Sequence, residues 1–301
     1  MTSFKPERPP GASDESGAAA LAGADAVALH PGAPKPPDPA HPGASIAAFV
    51  SKTMAIAGAE GRKLGHDPTE LFTRAVQPAL WMLVFGQVFT RTHAIPTGDV
   101  PYLDFMAPGI LAQSVLFIAI FYGIAVIWER DLGIVHKLLV SPTPRTALVL
   151  GKALSAGLRA VSQAVIIYLL ALILGVRVDW SPMALVGVLL IVVLGAAVFS
   201  TFSLIIACIV RTRERFMGVG QLLTMPLFFA SNAIYPVSVM PRWLQFVAHV
   251  NPLSYQVDAL RRLMLREGTS EMGLPADVGV LVLALLVVLG IGARLYPRIV
   301  R

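Results

Sequence analysis

Amide, hydroxyl and phenol side chains inside long apolar runs are the groups of this sequence that could contact a transported molecule. Polar groups in such surroundings are costly unless they face protein or a water-filled cavity, so they mark candidate lining of a path through a membrane. The candidates are Gln113, Gln221, Thr224, Asn232 and Tyr235. The alternative interpretation is that such groups only join helices. We prefer it for Ser200, Thr201 and Ser203, and both interpretations stay open for Asn232 and Gln221.

Motifs for energy conversion or covalent chemistry are missing from the sequence. No phosphate-binding G-x-x-x-x-G-K-[ST] loop occurs, because the one Gly-Lys pair, Gly151-Lys152, lacks both the earlier glycine and a following Ser or Thr. There is no His-Glu-x-x-His motif, and Cys208 is the only cysteine. No Asp or Glu falls inside an apolar run, which argues against a carrier driven by protons or sodium. We therefore expect no catalytic residue, no metal and no cofactor on this chain, and energy supplied by another chain.

The composition indicates which elements must position these residues. The chain has 301 residues and a mass of 32.1 kDa, with 55% apolar and 14% charged residues and a mean hydropathy of +0.70. Soluble proteins average about 25% charged residues, so this chain lacks the polar surface of a soluble globule. Its basic residues lie in short groups between apolar runs, a membrane-topology pattern rather than a nucleic-acid surface. The class predicted is an all-α polytopic membrane protein.

Six apolar runs are candidate membrane-spanning helices, although the first is short and contains Pro78. A helix is required there because every backbone polar group in hydrocarbon must be paired within its segment. If both termini are cytoplasmic, 17 of the 24 Lys and Arg residues lie inside and six outside, with Arg159 within a span. We therefore predict six spans with cytoplasmic N and C termini, in a cell membrane; spans that insert without a signal peptide fit a bacterial inner membrane. The runs are about 75–90, 105–128, 154–176, 183–210, 217–237 and 278–296.

The segments outside these runs differ in composition. Residues 1–43 are rich in Pro, Gly and Ala and are predicted to be a disordered tail. Residues 44–73 have helical apolar spacing and are predicted to form an interfacial helix, the alternative being a solvated helix. The loop 129–153 predicts a short charged helix stopped by prolines, or an ordinary positive loop. Residues 238–275 hold two short helices, predicted to be half-inserted at the outer surface. In the second, Asp258, Arg261 and Arg262 are expected off the apolar face.

Four stretches together resemble the permease subunit of type-2 ABC exporters, especially the permeases named for daunorubicin and doxorubicin resistance. The most specific are a glutamate-arginine loop that runs into LLVSPTPR, and SNAIYPVSVMPRWLQ followed by NPLSY. The resemblance covers about residues 45–301. In that family Asp-Arg-Glu is commoner than the Glu-Arg-Asp found here, but the pattern of charges is kept. The four stretches are residues 66–89, 102–115, 128–154 and 228–265.

The resemblance implies a type-2 ABC transmembrane domain over residues 44–301. It implies a six-helix half-transporter that pairs with a second permease, identical or related, and docks two ATPase chains, which bind the ATP and magnesium. By resemblance, residues 238–275 form outer re-entrant helices whose gate includes Asn251, Pro252 and Tyr255. The loop 129–153 corresponds to the coupling helix that contacts the ATPase, and its residues are Glu129, Arg130, Gly133, His136, Lys137 and Leu138.

Three functions are compared. The first is an exporter permease for amphipathic drug-like molecules or lipids, in contact with membrane lipid and with no nucleic-acid partner. The second is a permease for polysaccharide or lipo-oligosaccharide export, which shares the same architecture. The third, of another class, is a passive channel or membrane scaffold. Dependence on a nucleotide-binding partner separates the third from the first two.

Overall fold

A computed structural model describes residues 76–92, 95–98, 100–133, 145–210 and 212–296. These residues are almost entirely helical, and their one β-type pairing is an isolated bridge between Val178 and Leu265. The all-α class is therefore confirmed. The predicted tail 1–43 and interfacial helix 44–73 lie outside the described residues. The helices are α1 (residues 76–92, with a π-helical turn at Trp81–Gly86), α2 (Tyr102–Asp131), α3 (Arg145–Ile173), α4 (Pro182–Ile209), α5 (Arg213–Phe229), α6 (Arg242–Val250), α7 (Pro252–Met264) and α8 (Leu274–Leu295).

Four of these helices, α2, α3, α4 and α8, are long and apolar enough to cross a membrane. Their apolar stretches of 22 to 30 residues are about 33–45 Å long at 1.5 Å per residue, against a hydrocarbon thickness of about 30 Å. They match four of the six predicted spans. The 17 residues of α5 extend only about 25 Å, and α1 is described from residue 76 onward. Six spans and the cytoplasmic termini remain predictions.

Helix α2 is the centre of the bundle, and α3, α4, α5 and α7 all pack against it. Its side chains Met106, Ile110, Leu111 and Val115 are fully buried. By contrast, most of α8 faces outward, with Leu283 and Leu286 each 62% exposed. Because so apolar a surface is stable only in a nonaqueous environment, lipid is the natural surrounding of α8.

The two ends of the bundle are named by residues that lie there. At the Glu129 end, Val126 of α2, Leu148 of α3 and Leu204 of α4 form one cluster with Tyr296, which follows α8. At the Arg177 end, the loop after α3 meets the start of α2 and the end of α7. There Arg177 Nε donates to Asp104 Oδ2 at 2.9 Å.

Helices α6 and α7 form a hairpin that enters the bundle from the Arg177 end. Near that end Gly187 of α4 faces Leu263 of α7, and eight residues further along α4, Gly195 faces Gln256. Gly195 is thirteen residues beyond the first residue of α4, a depth of about 20 Å. The hairpin therefore enters and leaves the bundle at the same end. Its placement in a membrane as a re-entrant segment, and the side that this end faces, remain predictions.

Helix α5 ends earlier than the apolar run predicts. The run continues to residue 237, but the helix stops at Phe229 and residues 230–236 form turns. The carbonyls of Leu227 and Ala230 accept hydrogen bonds from the Asn251 side chain, at 2.7 and 3.3 Å. Because tertiary contacts satisfy these carbonyls, the chain can leave the helix without an unpaired backbone group. Asn232 and Tyr235 therefore lie in the turns that follow α5, which we call the Asn232 turn (residues 230–236).

The Asn232 turn packs directly on the backbone of α2 at Gly109. A Cβ atom at position 109 would lie 2.2 Å from the carbonyl oxygen of Ala233. We therefore expect Gly109→Ala to displace the turn and to lower the free energy of unfolding by about 1–3 kcal/mol. Thermal unfolding of the purified protein in mild detergent measures this.

The matched control is Gly279→Ala in α8, where nothing lies within 4 Å of the added methyl group. Alanine is favoured over glycine in a helix by roughly 0.5–1 kcal/mol, so this variant should be neutral or more stable. Equal unfolding temperatures for the two variants would contradict the close contact at Gly109.

Candidate functional site

Asn251 connects the start of α7 to the end of α5. Its side chain is buried: Oδ1 accepts from the Leu253 N–H at 3.0 Å, and Nδ2 donates to the α5 carbonyls. Asn251 is thus the N-cap of α7, and Pro252 occupies the first turn, where a missing N–H costs nothing. Tyr255 donates its hydroxyl proton to the His249 carbonyl at 2.7 Å, across the hairpin. The structure brings these three predicted gate residues together at the bend.

A buried arginine on α7 holds the Asn232 turn. Arg261 Nη2 donates to the Asn232 carbonyl at 2.7 Å, and the guanidinium lies 3.9 Å from the centroid of the Phe105 ring. Burial lowers the pKa of Arg261 to about 10, while the charge of Asp258 opposes that shift. The arginine therefore stays protonated at neutral pH, as a donor and as a cation over an aromatic face.

A cavity of about 250 Å³ lies beside this contact at the Arg177 end. Arg261 and Phe105 form part of its wall, and Glu267 and Glu271 line it as well. One cation and two carboxylates therefore surround the space, with apolar Pro236 and Leu265 completing that part of the wall.

The sequence placed Asp258 and Arg261 away from the apolar face of their helix, but the structure buries both. Only Arg262 of the three charged residues is exposed. Burial is possible because Asp258 Oδ2 accepts from the Met272 N–H at 3.0 Å and Oδ1 from the Glu271 N–H at 3.2 Å. These N–H groups belong to the segment that follows α7. The spacing of residues within α7 gives no information about them.

The five predicted path residues do not share one surface. Asn232 is fully buried, and its amide has no hydrogen-bond partner among the described residues; Gln113 is also buried, and its Nε2 is likewise unpaired there. Thr224 is buried but donates to the Gly220 carbonyl of its own helix at 2.6 Å. Gln221 is exposed on α5, and Tyr235 is half-buried and donates to the Phe229 carbonyl, with desolvation raising the pKa of its phenol.

Gln221 lies on a stripe of α5 that no described helix covers. Met217, Leu222 and Phe229 are exposed on the same stripe, the first two at 54% and 71%. At the Glu129 end the stripe borders a groove of about 560 Å³. Its walls are apolar apart from one arginine, and they are formed by Ile209, Val210, Arg215, Gly218, Val219 and Leu222.

Buried opposite charges join the two helices that flank the predicted coupling loop. Lys152 of α3 pairs with Glu129 of α2, and their side chains are only 7% and 15% exposed. The pair closes the base of the loop between these helices. The sequence approach singled out Glu129 but gave Lys152 no role beyond its positive charge.

A second set of charges joins α2 to α5 at the same end. Asp131 accepts from Arg130 and from Arg213 Nη2, each at 2.9 Å, and the Arg213 guanidinium lies 3.7 Å from the Trp128 ring centroid. Gly133 has φ +72° and ends α2 through a hydrogen bond to the Arg130 carbonyl, so it has a local role as a helix stop. His136, Lys137 and Leu138 lie outside the described residues.

Within the described residues, no three His, Cys, Asp or Glu side chains come together in a way that could hold a metal ion. Cys208 lies beside the cluster at the Glu129 end as an ordinary packing residue.

Comparison with known proteins gives consistent matches. A family model described as "ABC-2 type transporter" matches residues 52–265. The protein ycf38 of Cyanophora paradoxa, named as a transport permease, is 29% identical over 203 residues, which are 67% of this chain and 70% of that protein. The daunorubicin resistance ABC transporter permease protein DrrB1 of Streptomyces coeruleorubidus is 27% identical over 199 residues, 66% of this chain and 70% of its own. The inner membrane transport permease YadH of Escherichia coli K12 is 24% identical over 216 residues, covering 69% and 80%.

The pair Glu129–Lys152 generates a test of the Glu129 end. Lys152→Met leaves a carboxylate buried without its cation, and Glu129→Gln leaves the ammonium without its anion. We expect either single variant to lose about 3–5 kcal/mol of stability, because an unpaired buried charge is strongly unfavourable. The double variant should recover most of that loss, as measured by thermal unfolding in detergent. Single losses that simply add in the double variant would contradict the pairing.

Proposed function

Because the chain belongs to the ABC-2 type transporter family, we propose that it exports amphipathic drug-like molecules or lipids on energy from a separate ATPase. As a member of that family it is the membrane-embedded permease component of an ABC transporter. The observation that carries the proposed substrate class is the exposed stripe of α5, with its apolar groove and single arginine. Sites for amphipathic ligands are mostly apolar with a few placed polar groups, and the stripe has this composition. The name of DrrB1, a daunorubicin resistance permease, agrees with it.

The proposed path runs from the groove along α5 to the Asn232 turn. Gln221 offers an amide on the exposed stripe, and Tyr235 lies half-buried in the turn beyond the helix. Thr224, Gln113 and Asn232 lie behind this surface, and the last two have unpaired buried amide groups. Unpaired buried polar groups are unfavourable, so their presence calls for a partner in another state of the protein. In this proposal the partner is the cargo, reached when the hairpin moves.

The α6–α7 hairpin is the proposed gate of this path. Its bend, at Asn251, Pro252 and Tyr255, holds the end of α5, and Arg261 holds the Asn232 turn. A movement of the hairpin therefore displaces the residues that line the path. The Arg177 end is the extracytoplasmic side in this proposal.

Coupling to ATP is proposed at the Glu129 end. The chain has no phosphate-binding loop, so ATP and magnesium bind two copies of a partner ATPase in this proposal. Glu129, Arg130, Gly133, His136, Lys137 and Leu138 form the contact. Ion pairs join α2 to α3 and to α5 at this end. In this proposal, a movement of the ATPase against Glu129 and Arg130 therefore displaces α3 and α5 together with α2. A second permease, identical or related, completes the transporter in a cell membrane, the inner membrane if the source is bacterial.

A substitution at Asn232 tests whether its side chain acts in transport or only in folding. Asn232→Leu replaces an unpaired buried amide by an apolar group of similar size, so we expect an unchanged or higher unfolding temperature. Export should fall at least tenfold if the amide meets cargo. The measurement is efflux of a fluorescent amphipathic cation from cells, with unfolding in detergent measured in parallel.

The matched control is Ser200→Ala, which removes another buried polar group in α4, one that bonds only to the Ala197 carbonyl of its own helix. Its export should stay near that of the unchanged protein. If Asn232→Leu lost export and assembly to the same extent, Asn232 would have a structural role and the path would be wrong there.

The ATPase contact is tested by co-purification from native membranes in mild detergent. The unchanged chain should bring down an ATPase with nucleotide-binding motifs in stoichiometric amount. Lys137→Glu, a charge reversal in the proposed contact, should lose most of it. Arg242→Glu, the same reversal at the start of α6, should retain it.

Each result decides between the function classes. Recovery of the chain alone in several mild detergents would favour the channel or scaffold. Equal loss of the ATPase from both variants would place the contact elsewhere on the chain.

A further inference from the structure

Two buried carboxylates on different helices meet at one serine hydroxyl near the Arg177 end. Ser270 Oγ lies 2.9 Å from Asp258 Oδ2 of α7 and 3.0 Å from Asp277 Oδ2 in the first turn of α8. Both aspartates are fully buried. The same hydroxyl oxygen accepts from the Gly273 N–H at 2.6 Å. We call this arrangement the Asp258–Ser270–Asp277 clasp.

The hydrogens in the clasp do not suffice if both carboxylates are ionised. An ionised carboxylate has no hydrogen to donate, and a serine hydroxyl has one. The Ser270 hydrogen can satisfy only one of the two carboxylate oxygens, and the other would face an oxygen lone pair at about 3 Å. One additional proton resolves the conflict: a protonated carboxyl donates to Ser270, and Ser270 donates to the other carboxylate.

The surroundings decide which aspartate carries that proton. Both carboxylate oxygens of Asp258 already accept a backbone N–H, and Oδ1 lies 4.0 Å from Arg261 Nη1. Asp277 has neither kind of contact: within the described part of the chain its Oδ1 has no hydrogen-bond partner, and the residue is fully buried. Burial and a nearby carboxylate both favour a neutral acid.

The charged groups around Asp277 reinforce this assignment. Helix α4, which packs against α8, has no Asp, Glu, Lys, Arg or His. The charged residues of α3, the other spanning helix in contact, all lie in its first half, toward the Glu129 end, and its titratable residue in the second half is Tyr168. The remaining charged groups at this end are Asp104 at the start of α2, Arg177 and Asp179 in the loop after α3, and those of α7 and the segment after it: Asp258, Arg261, Arg262, Arg266, Glu267 and Glu271. The only buried cation among them, Arg261, is the one beside Asp258.

We propose that the clasp is a proton-binding site, in which Asp277 carries a proton under mildly acidic conditions and joins α8 to the re-entrant helix α7. Loss of the proton leaves two carboxylates competing for one hydroxyl, which weakens the connection between α7 and α8. Since α7 also holds the Asn232 turn through Arg261, the proton occupancy of the clasp sets how firmly the hairpin is held. The clasp consists of residues of this chain alone, so its proton binding does not depend on the proposed export function or on an ATPase partner.

Infrared spectroscopy and pH-dependent unfolding of the full chain in detergent test the proposal together. At about pH 5 the unchanged protein should show the C=O stretch of a protonated carboxyl group that Asp277→Asn lacks. The native state holds a proton that the unfolded chain releases above the usual aspartate range. Stability should therefore fall as the pH rises from about 4 to 7. We expect the unfolding temperature to drop by several degrees over that range.

Asp277→Asn keeps an N–H donor toward Ser270 without the titrating proton, so its unfolding temperature should depend much less on pH. Glu267→Gln, at a carboxylate that is 77% exposed, is the matched control and should keep the pH dependence of the unchanged protein. If Asp277→Asn does not fold, the unchanged protein still decides. Absence of any protonated carboxyl band at about pH 5 would overturn the proposal, as would an equal pH dependence in Asp277→Asn and the unchanged protein.

Discussion

A single amide, that of Asn251, links the end of α5 to the start of α7, and the placement of the hairpin depends on it. Its NH₂ group donates hydrogen bonds to carbonyls at the end of α5 that have no partner within the helix, and its side-chain oxygen accepts from the first turn of α7. Helix ends inside an apolar bundle need such partners, because unpaired backbone groups there cost several kcal/mol in hydrocarbon. The Asn251 side chain pairs backbone groups of both helices. Helix α5 can therefore end, and α7 can begin, in the interior of the bundle.

The hairpin carries its polar groups into the bundle as connected sets rather than singly. Arg261 binds a backbone carbonyl of the Asn232 turn and lies over Phe105, and Asp258 binds backbone N–H groups that follow α7. Each set joins segments distant in sequence. A buried charge with several partners is stable in one arrangement and unfavourable when a partner leaves, which favours discrete positions of the hairpin over continuous movement.

Helix α5 connects the Glu129 end of the bundle to the bend of the α6–α7 hairpin. Its first residue, Arg213, binds Asp131 and lies over the Trp128 ring. At its other end, the carbonyls of Leu227 and Ala230 accept hydrogen bonds from Asn251. Between these points its stripe around Gln221 is uncovered by the described helices. Helix α5 therefore links α2 at the Glu129 end directly to the hairpin, along the surface proposed to contact cargo.

The sequence by itself determined the class of protein, four spanning helices to within several residues, the break at Asn251-Pro252 and the family. These depend on apolar length, local capping and short motifs, which act over a few residues. Only the tertiary structure decided that α5 stops at Phe229, that Asp258 and Arg261 are buried, and that Glu129 pairs with Lys152. Periodicity shows which residues share a helical face. Whether a polar face can be buried depends on partners from distant parts of the chain, which only the folded structure brings into contact.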